Sequence, residues 1–413
     1  MSATLPEIYL DAAATTPPLP AVIDAVTTVQ RMAWGNPSSL HRCGQSAAEV
    51  LERSRLAIAA LLGADRDDVI VTSGATESIH LALLGSAACL MRGRLVISAV
   101  EHPAVSAAAK CLELMGWECV QWHVDHQGVI RLDRLEELLA PPTRMVSLIW
   151  GQSEVGALEP VIRVGDACRE RGIRFHTDAT QLIPQGRIQW SGLPIDLLSL
   201  SSHKLQGPRG VGLLLKHRDM EIRSLQGGGG QEQGLRSGTE PVALVAGLAA
   251  ALQQVPCFDA LSVNCPPGAN PDLRPWRDHL LKDLLSIPGV QLCGPESGER
   301  LPHHISLLLN DRQGRPLSGR AVVRELARSG VCVSSGSACS SGLTTDSPVL
   351  TAMGVNQDLR RAGRRVFPRR GAGAHAPARR RRARVRAAAA GAAAAAGASA
   401  ASRRGGRAGV VRG

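Results

Sequence analysis

The stretch Ser201-Ser202-His203-Lys204 decides how the rest of the chain is interpreted, because it lies between two apolar runs. Residues 195–200 form the first run, and the second, residues 211–215, follows the turn Gly207-Pro208-Arg209-Gly210. A lysine on a tight Gly/Pro turn between two buried strands cannot readily reach bulk water. Such a lysine usually forms an ion pair or a Schiff base with a carbonyl cofactor. Taken alone, the stretch favours the ion pair or plain solvent exposure.

Two polar segments upstream change that balance. His176-Thr177-Asp178-Ala179-Thr180-Gln181 ends one strand-like run, and Glu101-His102-Pro103 ends another. A lysine for an aldehyde, a carboxylate for a pyridine nitrogen and an aromatic ring for stacking are the parts that a pyridoxal phosphate (PLP) site needs. The working hypothesis is therefore a PLP site around Lys204.

The charge of the chain is unevenly distributed. The 413 residues, enough for two domains and a substantial core, carry a net charge of +11. Of the 47 basic residues, 16 are arginines in residues 360–413, a stretch without acidic residues, which leaves 31 basic against 36 acidic residues in the rest. The body is thus mildly acidic and gives no support to nucleic-acid binding.

The ten cysteines are scattered, without a CxxC pair or a Cys/His cluster. This pattern argues against a disulfide framework and a structural zinc site, so no metal is expected and a reducing, cytoplasmic compartment fits best. No basic-then-apolar leader opens the sequence and no uninterrupted run of about 18 apolar residues occurs, so we expect neither secretion nor membrane spanning.

Strand and helix patterns alternate through the first part of the chain. Strands are predicted at residues 68–71, 94–100, 119–124, 144–150, 174–177, 196–201 and 211–215. Helices are predicted at residues 20–32, 44–62, 75–88, 104–115, 132–139 and 164–171, and another ends near residue 252. This alternation predicts an α/β fold with a mainly parallel sheet covered on both faces, whose ligands bind beyond the carboxyl ends of the strands. Four polar residues fall at or just past those ends: His102, Ser153, Asp178 and Lys204.

The second part of the chain predicts a smaller α+β domain, with helices at 276–285 and 319–328 and strands at 290–292, 304–309 and 331–334. The expected division is an N-terminal segment 1–15 that packs with the small domain, a large PLP-binding domain 16–255, and a small domain 256–367. Residues 368–413 form an Arg/Ala-rich, low-complexity tail, for which disorder is expected.

Two turns could belong to a functional site, but their composition does not decide between a functional and a purely structural role. Thr72-Ser73-Gly74 precedes a helix that starts with Ala75-Thr76-Glu77. This suits a phosphate, because free N–H groups and the helix dipole point there, but an ordinary capped helix explains it as well. Gly336-Ser337-Ala338-Cys339-Ser340-Ser341-Gly342 has the composition of a mobile surface loop, and its cysteine is equally consistent with a reactive or an inert thiol.

Eight short motifs occur in a fixed order along the chain. They are Leu10-Asp11 through Thr16, Gly35-Asn36-Pro37-Ser38-Ser39-Leu40-His41, Thr72-Ser73-Gly74-Ala75-Thr76-Glu77-Ser78, Glu101-His102, Asp178-Ala179-Thr180-Gln181, Ser201 to Lys204, Arg236-Ser237-Gly238-Thr239, and Ser334-Ser335-Gly336-Ser337-Ala338-Cys339. Over about residues 7–365, this set resembles the cysteine desulfurases of the class V aminotransferase group, PLP-dependent enzymes of fold type I. The last motif is similar to that of the longer-loop subgroup, which passes sulfur to iron–sulfur cluster assembly and other acceptors.

The resemblance implies a PLP-dependent transferase fold and a role for each matching residue. Lys204 would bind the PLP aldehyde and shuttle protons, His102 would stack on the ring and assist proton transfer, and Asp178 would pair with the pyridinium nitrogen. The remaining cofactor contacts would come from Gln181 at the phenolic oxygen and, at the phosphate, from Ala75 (backbone), Thr76, Ser201, His203 and Thr239, the last from the partner subunit of a homodimer.

The resemblance also implies the reaction. Cys339 would attack the sulfur of L-cysteine, release L-alanine and keep the sulfur as a persulfide for an acceptor such as an iron–sulfur scaffold protein.

Two positions depart from the family pattern. The family usually has Asn where Ser153 stands, so its contact with cofactor and substrate is weakened or made through water.

The second departure lies at the C-terminus. Arg365, 26 residues after Cys339, stands where the carboxylate-binding arginine belongs, but the expected Arg-Phe-Ser-Leu-Gly is replaced by Arg-Val-Phe-Pro-Arg-Arg and the tail. Our hypothesis is a reading-frame change near Arg364, which would leave the small domain 256–367 incomplete. Two other interpretations stay open: another fold-type-I PLP enzyme, such as an aminotransferase or a selenocysteine lyase, and a non-catalytic protein that binds nucleic acid through the arginine-rich tail.

Overall fold

The computed structural model of the protein describes residues 8–256, 273–296, 298–335 and 346–360, together with residues 385, 389 and 391. Residues 364–366 are described by their backbone alone. The helices are α1 (Pro20–Met32), α2 (Arg42–Leu62), α3 (Ala75–Ala87), α4 (Pro103–Leu114), α5 (Leu135–Leu139), α6 (Val161–Glu170), α7 (Val242–Gln253), α8 (Arg274–Leu285), α9 (Gly319–Arg328), α10 (Pro348–Ala352) and α11 (Gln357–Arg360). The strands are β1 (Ile8–Tyr9), β2 (Val69–Thr72), β3 (Arg94–Ser98), β4 (Glu118–Trp122), β5 (Thr143–Ile149), β6 (Arg174–Asp178), β7 (Leu197–Ser201), β8 (Gly212–Lys216), β9 (Val290–Leu292), β10 (Ile305–Leu309), β11 (Val331–Cys332) and β12 (Arg364–Val366).

The central sheet has seven strands in the order β2-β8-β7-β6-β5-β3-β4. Strand β8 runs antiparallel to both of its neighbours, and the other pairs are parallel. The short turn between β7 and β8 explains the reversal, because a parallel crossover needs a dozen or more residues. The prediction of an α/β fold with a mainly parallel sheet is confirmed.

Helices cover both faces of this sheet. On one face, side chains of α1, α2 and α7, such as Val22, Ile58 and Leu248, pack in one cluster with Val71 and Leu213 of the sheet. On the other face, α3 and α4 pack against each other and against β3. Every residue of β2, β7 and β8 is buried, as expected for apolar strands between two helical layers.

A smaller antiparallel sheet, in the order β12-β10-β9, follows in the chain. Strand β1 pairs in parallel with β11, so the first described residues lie beside residues 331–332. Strand β11 spans Val331–Cys332, which is shorter than the strand predicted at residues 331–334. In the tail, residues 385, 389 and 391 are helical, and Val385, a rare large apolar residue there, is buried against this part of the core. The rest of residues 368–413 lies outside the described residues, and its disorder stays a prediction.

Two helix starts differ from the sequence-based expectation. Helix α2 begins at Arg42 instead of residue 44, because the His41 ring accepts a hydrogen bond from the Gly44 N–H (3.3 Å) and caps the helix. Helix α6 begins at Val161, three residues earlier than predicted. Within the described ranges, no helix combines the length and the apolar character that crossing a membrane requires.

A buried ion pair covers the edge strand β2. The Arg55 guanidinium donates to both carboxylate oxygens of Glu232 (2.8 and 2.6 Å), and the two side chains are 6% and 2% exposed. Arg55 also donates to the Val69 carbonyl, and Glu232 accepts from the Val71 N–H. The pair thus satisfies backbone groups that an edge strand leaves open, and it fastens the loop around Glu232 to the sheet.

Candidate functional site

A cleft of about 490 Å³ lies at the carboxyl ends of β5, β6 and β7, beside the N-termini of α3 and α4. Its size is within the range of about 300–1,000 Å³ that is typical of small-molecule sites. The cleft brings together nine residues that the sequence singled out: Ala75, Thr76, His102, Ser153, Asp178, Gln181, Ser201, His203 and Lys204. Because the carboxyl ends of parallel strands share one edge of a sheet, residues far apart in the chain meet there.

Lys204 ends a single 3₁₀ turn that directly follows β7. Its ammonium donates hydrogen bonds to the carbonyls of Ala13 and Ala14, the latter at 2.9 Å. The same N-terminal segment holds the turn through Thr16, whose hydroxyl donates to the His203 carbonyl (2.8 Å). The N-terminal segment therefore forms one wall of the cleft and keeps the half-buried lysine inside it.

Asp178, at the end of β6, is 4% exposed and accepts a hydrogen bond from the Thr180 N–H (3.0 Å). Two residues earlier on the same face, the His176 ring bonds to Ser147 (2.9 Å) on β5 and to Ser199 (3.2 Å) on β7. Burial lowers the pKa of His176 to about 3, so this ring is neutral. The ring links β5, β6 and β7 next to Asp178. Because it is neutral, it is not a counter-charge for the Asp178 carboxylate.

His102 caps α4: its Nδ1 accepts from the Ala104 N–H (3.2 Å), which leaves Nε2 as the ring nitrogen that can donate. The neighbouring Glu101 is buried, and its Oε1 accepts from the Ser98 hydroxyl (2.9 Å) and the Ile149 N–H (2.8 Å). Burial raises the pKa of Glu101 to about 8, and the charge of Asp178 adds to the shift. The sequence analysis placed Glu101 in a motif but missed this buried carboxyl, because burial is decided by tertiary packing.

The N-terminus of α3 forms one part of the cleft lining. Its N-cap is Gly74, with φ of 154°, and no side chain caps the helix. Uncapped N–H groups and a helix dipole favour an anion such as a phosphate, the Ser201 side chain lies next to Gly74, and His203 lines the same cleft. Burial lowers the pKa of His203 to about 4, so a neutral ring stands there. An uncapped helix start, a buried carboxylate and a lysine in one cleft fit the phosphate, pyridine nitrogen and aldehyde of PLP.

Three other predicted site residues are not among the described residues that line the cleft. Thr239 is exposed, on the loop that follows Arg236, and does not line the cleft. Cys339 lies outside the described residues. The backbone of Arg365 lies in β12, opposite Ser306 of β10, and its side chain lies outside the described part of the chain. Among the described residues, no group of three or more His, Cys, Asp or Glu is arranged to hold a metal ion.

Comparison with known proteins agrees with this geometry. Residues 8–363 match the aminotransferase class-V family. The chain is 36% identical over 362 residues to a cysteine desulfurase IscS of Dictyoglomus turgidum, covering 87% of this chain and 89% of the relative. It is 35% identical over 373 residues to a cysteine desulfurase of Mus musculus, covering 88% and 77%. A solved NifS-like protein from Rickettsia africae superposes with a TM-score of 0.78 at 26% identity, covering 92% of this chain and 98% of the other.

Proposed function

The chain belongs to the aminotransferase class-V family, and we propose that it acts as a PLP-dependent cysteine desulfurase. The observation that carries this proposal is the meeting of Lys204, Asp178 and His102 in one cleft, beside the uncapped start of α3. The relatives from Dictyoglomus turgidum and Mus musculus are cysteine desulfurases and are matched over most of their length, which supports L-cysteine as the substrate.

When bound, PLP would supply an electron sink for the electron pair that is freed at the amino-acid carbon. Lys204 would bind its aldehyde, and the Asp178 carboxylate would favour a protonated pyridine nitrogen. The backbone of Ala75 and the side chains of Thr76, Ser201 and His203 would hold its phosphate, with Gln181 at the phenolic oxygen.

The residues of the cleft then orient and protonate the substrate. The Lys204 amine would take a proton from the substrate carbon and return one to the product, because its Nζ lies at the wall of the cleft that would hold the ligand. His102 is fixed by its bond to the Ala104 N–H, which leaves its Nε2–H for the ring or for the substrate. Ser153 and Arg365 are the residues that we propose for substrate contact, Ser153 with a shorter reach than the usual Asn.

Sulfur transfer needs a nucleophile, for which we propose the Cys339 thiol. The substrate C–S bond breaks, its electron pair stays with the carbon, and that carbon takes a proton to give L-alanine. The substrate sulfur forms a new S–S bond to Cys339, so thiol and L-cysteine become persulfide and L-alanine without an external oxidant. An acceptor such as an iron–sulfur scaffold protein would then take the sulfur.

The remaining sequence-based expectations are part of the same proposal. We place the enzyme in the cytoplasm, as a homodimer in which Thr239 serves the phosphate site of the partner subunit. We keep the domain limits of 16–255 and 256–367, with residues 1–15 attached to the small domain.

The test is to incubate the purified protein with PLP, L-cysteine and a reductant, and to assay sulfide and L-alanine together. Equal amounts of both products are expected, and Lys204→Ala should abolish them, whereas the exposed control Lys110→Ala should not. Borohydride treatment after PLP loading should attach the cofactor to the peptide that contains Lys204. Cys339→Ala should abolish persulfide formation; if it leaves the main activity intact, the protein is another fold-type-I enzyme. A protein that does not retain PLP at all would refute the proposal.

A further inference from the structure

The turn that carries Ser153 is fastened to several other parts of the protein. Gln152 is 1% exposed, and its amide nitrogen donates to the Val100 carbonyl (3.1 Å), one residue before Glu101. Its amide oxygen accepts from the N–H groups of Glu154 (2.5 Å) and Val155 (2.9 Å). A buried amide with both ends bonded holds the turn in one conformation relative to the start of α4.

The next residue of the turn, Glu154, makes a buried contact with a distant part of the chain. Its Oε2 accepts from the Ser347 hydroxyl at 2.7 Å, and the two residues are 7% and 9% exposed. Ser347 also caps α10, because its oxygen accepts from the Leu350 N–H (3.2 Å). Donor and acceptor of this hydroxyl are thus both engaged. Val349 and Leu350 pack in the same core cluster as Val155, which keeps α10 against the turn.

The Glu154–Ser347 contact is important because Ser347 lies close to Cys339 along the chain. Ser347 follows Cys339 by eight residues, and residues 336–345 lie outside the described part of the chain. The chain is described again at Asp346, so the Glu154–Ser347 contact stands at the C-terminal end of the stretch that carries Cys339. Because Glu154 also lines the cleft, one turn contacts both the cleft and Ser347, eight residues after Cys339.

We propose that Glu154 and Ser347 form a positioning pair, which sets the stretch carrying Cys339 relative to the substrate held beside Ser153. This inference rests on the proposed function. A thiol must come within roughly 3–3.5 Å of the sulfur that it attacks, and small losses of alignment slow such steps strongly. Without the hydrogen bond, the start of α10 is no longer fastened to the turn at Glu154, and Ser347→Ala in addition removes the cap of α10.

The experiment separates substrate binding from sulfur transfer. Glu154→Ala and Ser347→Ala each remove the contact, Glu154→Gln keeps an acceptor oxygen, and Ser54→Ala is a matched control. Ser54 is 8% exposed and donates one buried bond, to the Val50 carbonyl (2.7 Å) of α2. For each protein, the affinity for L-cysteine is measured by absorbance of the PLP-loaded protein, and persulfide on Cys339 by mass spectrometry in a single turnover. Hydrogen exchange of residues 346–352 is measured in the cofactor-free protein.

We expect Glu154→Ala and Ser347→Ala to slow persulfide formation about tenfold, with cysteine affinity changed less than about twofold. The double variant should be no slower than the slower single variant, Glu154→Gln should restore most of the rate, and Ser54→Ala should keep it. Glu154→Ala should also speed exchange in residues 346–352. An unchanged persulfide rate in Ser347→Ala, an equal loss of cysteine affinity and rate, or unchanged exchange in Glu154→Ala would each overturn the inference. A wild-type protein that binds L-cysteine but forms no persulfide would overturn the proposed function, and this inference with it.

Discussion

Replacing Glu101 by glutamine should stabilise the protein at pH 8 and leave its stability near pH 5 almost unchanged. Burial raises the pKa of Glu101 from 4.5 to about 8 in the folded protein. Between these two values the folded protein keeps a proton that the unfolded chain has lost. Stability therefore falls as the pH rises from about 4.5 to about 8. At about 1.36 kcal/mol per pKa unit, the cost at pH 8 is of the order of 3–5 kcal/mol.

Glutamine does not titrate, and its amide oxygen can still accept from Ser98 and from the Ile149 N–H. The assay is urea unfolding of both proteins between pH 5 and pH 8.5. The free energy of unfolding of Glu101→Gln minus that of the wild type should grow by several kcal/mol across this range. The same change at the exposed Glu49 should not reproduce the trend. Asp178 and Glu159, the other carboxyls that interact with Glu101, are present in both proteins. A difference that stays constant with pH would refute the reasoning.

Two further predictions concern the loop at the sheet edge and the start of α3, where we propose that the phosphate binds. Glu232→Gln leaves the buried Arg55 guanidinium without its counter-charge and should lower the free energy of unfolding by about 3–5 kcal/mol in urea; a loss below about 1 kcal/mol would show that the pair is not buried as described. Gly74→Ala places a side chain where φ is 154°, at a strain of about 1–3 kcal/mol, and should raise the Kd for PLP about tenfold in an absorbance titration. The control Gly192→Ala, which meets open space, should leave that Kd unchanged.

Much of the fold was predictable because apolar runs and Gly-bearing turns alternate locally along the chain. The topology rule then brings Asp178 and Lys204 to one edge of the sheet, since each follows a strand of known direction. Backbone partners were not predictable: the carbonyls of Ala13 and Ala14, which bind the Lys204 ammonium, have no signature in side-chain identity. The Glu154–Ser347 contact was also not predictable, because it joins residues 193 positions apart through packing alone.

The N-terminal wall of the cleft has a consequence for how this chain is made. The Ala13 carbonyl binds Lys204, which follows 191 residues later. Strand β1 pairs with β11, which lies still further along the chain. On a ribosome, residues 8–14 must therefore remain without these neighbours until the segments around Lys204 and β11 have emerged. Such non-local closure slows folding and leaves partly built intermediates exposed to aggregation. Chaperone demand should thus be highest just before the last strands leave the exit tunnel.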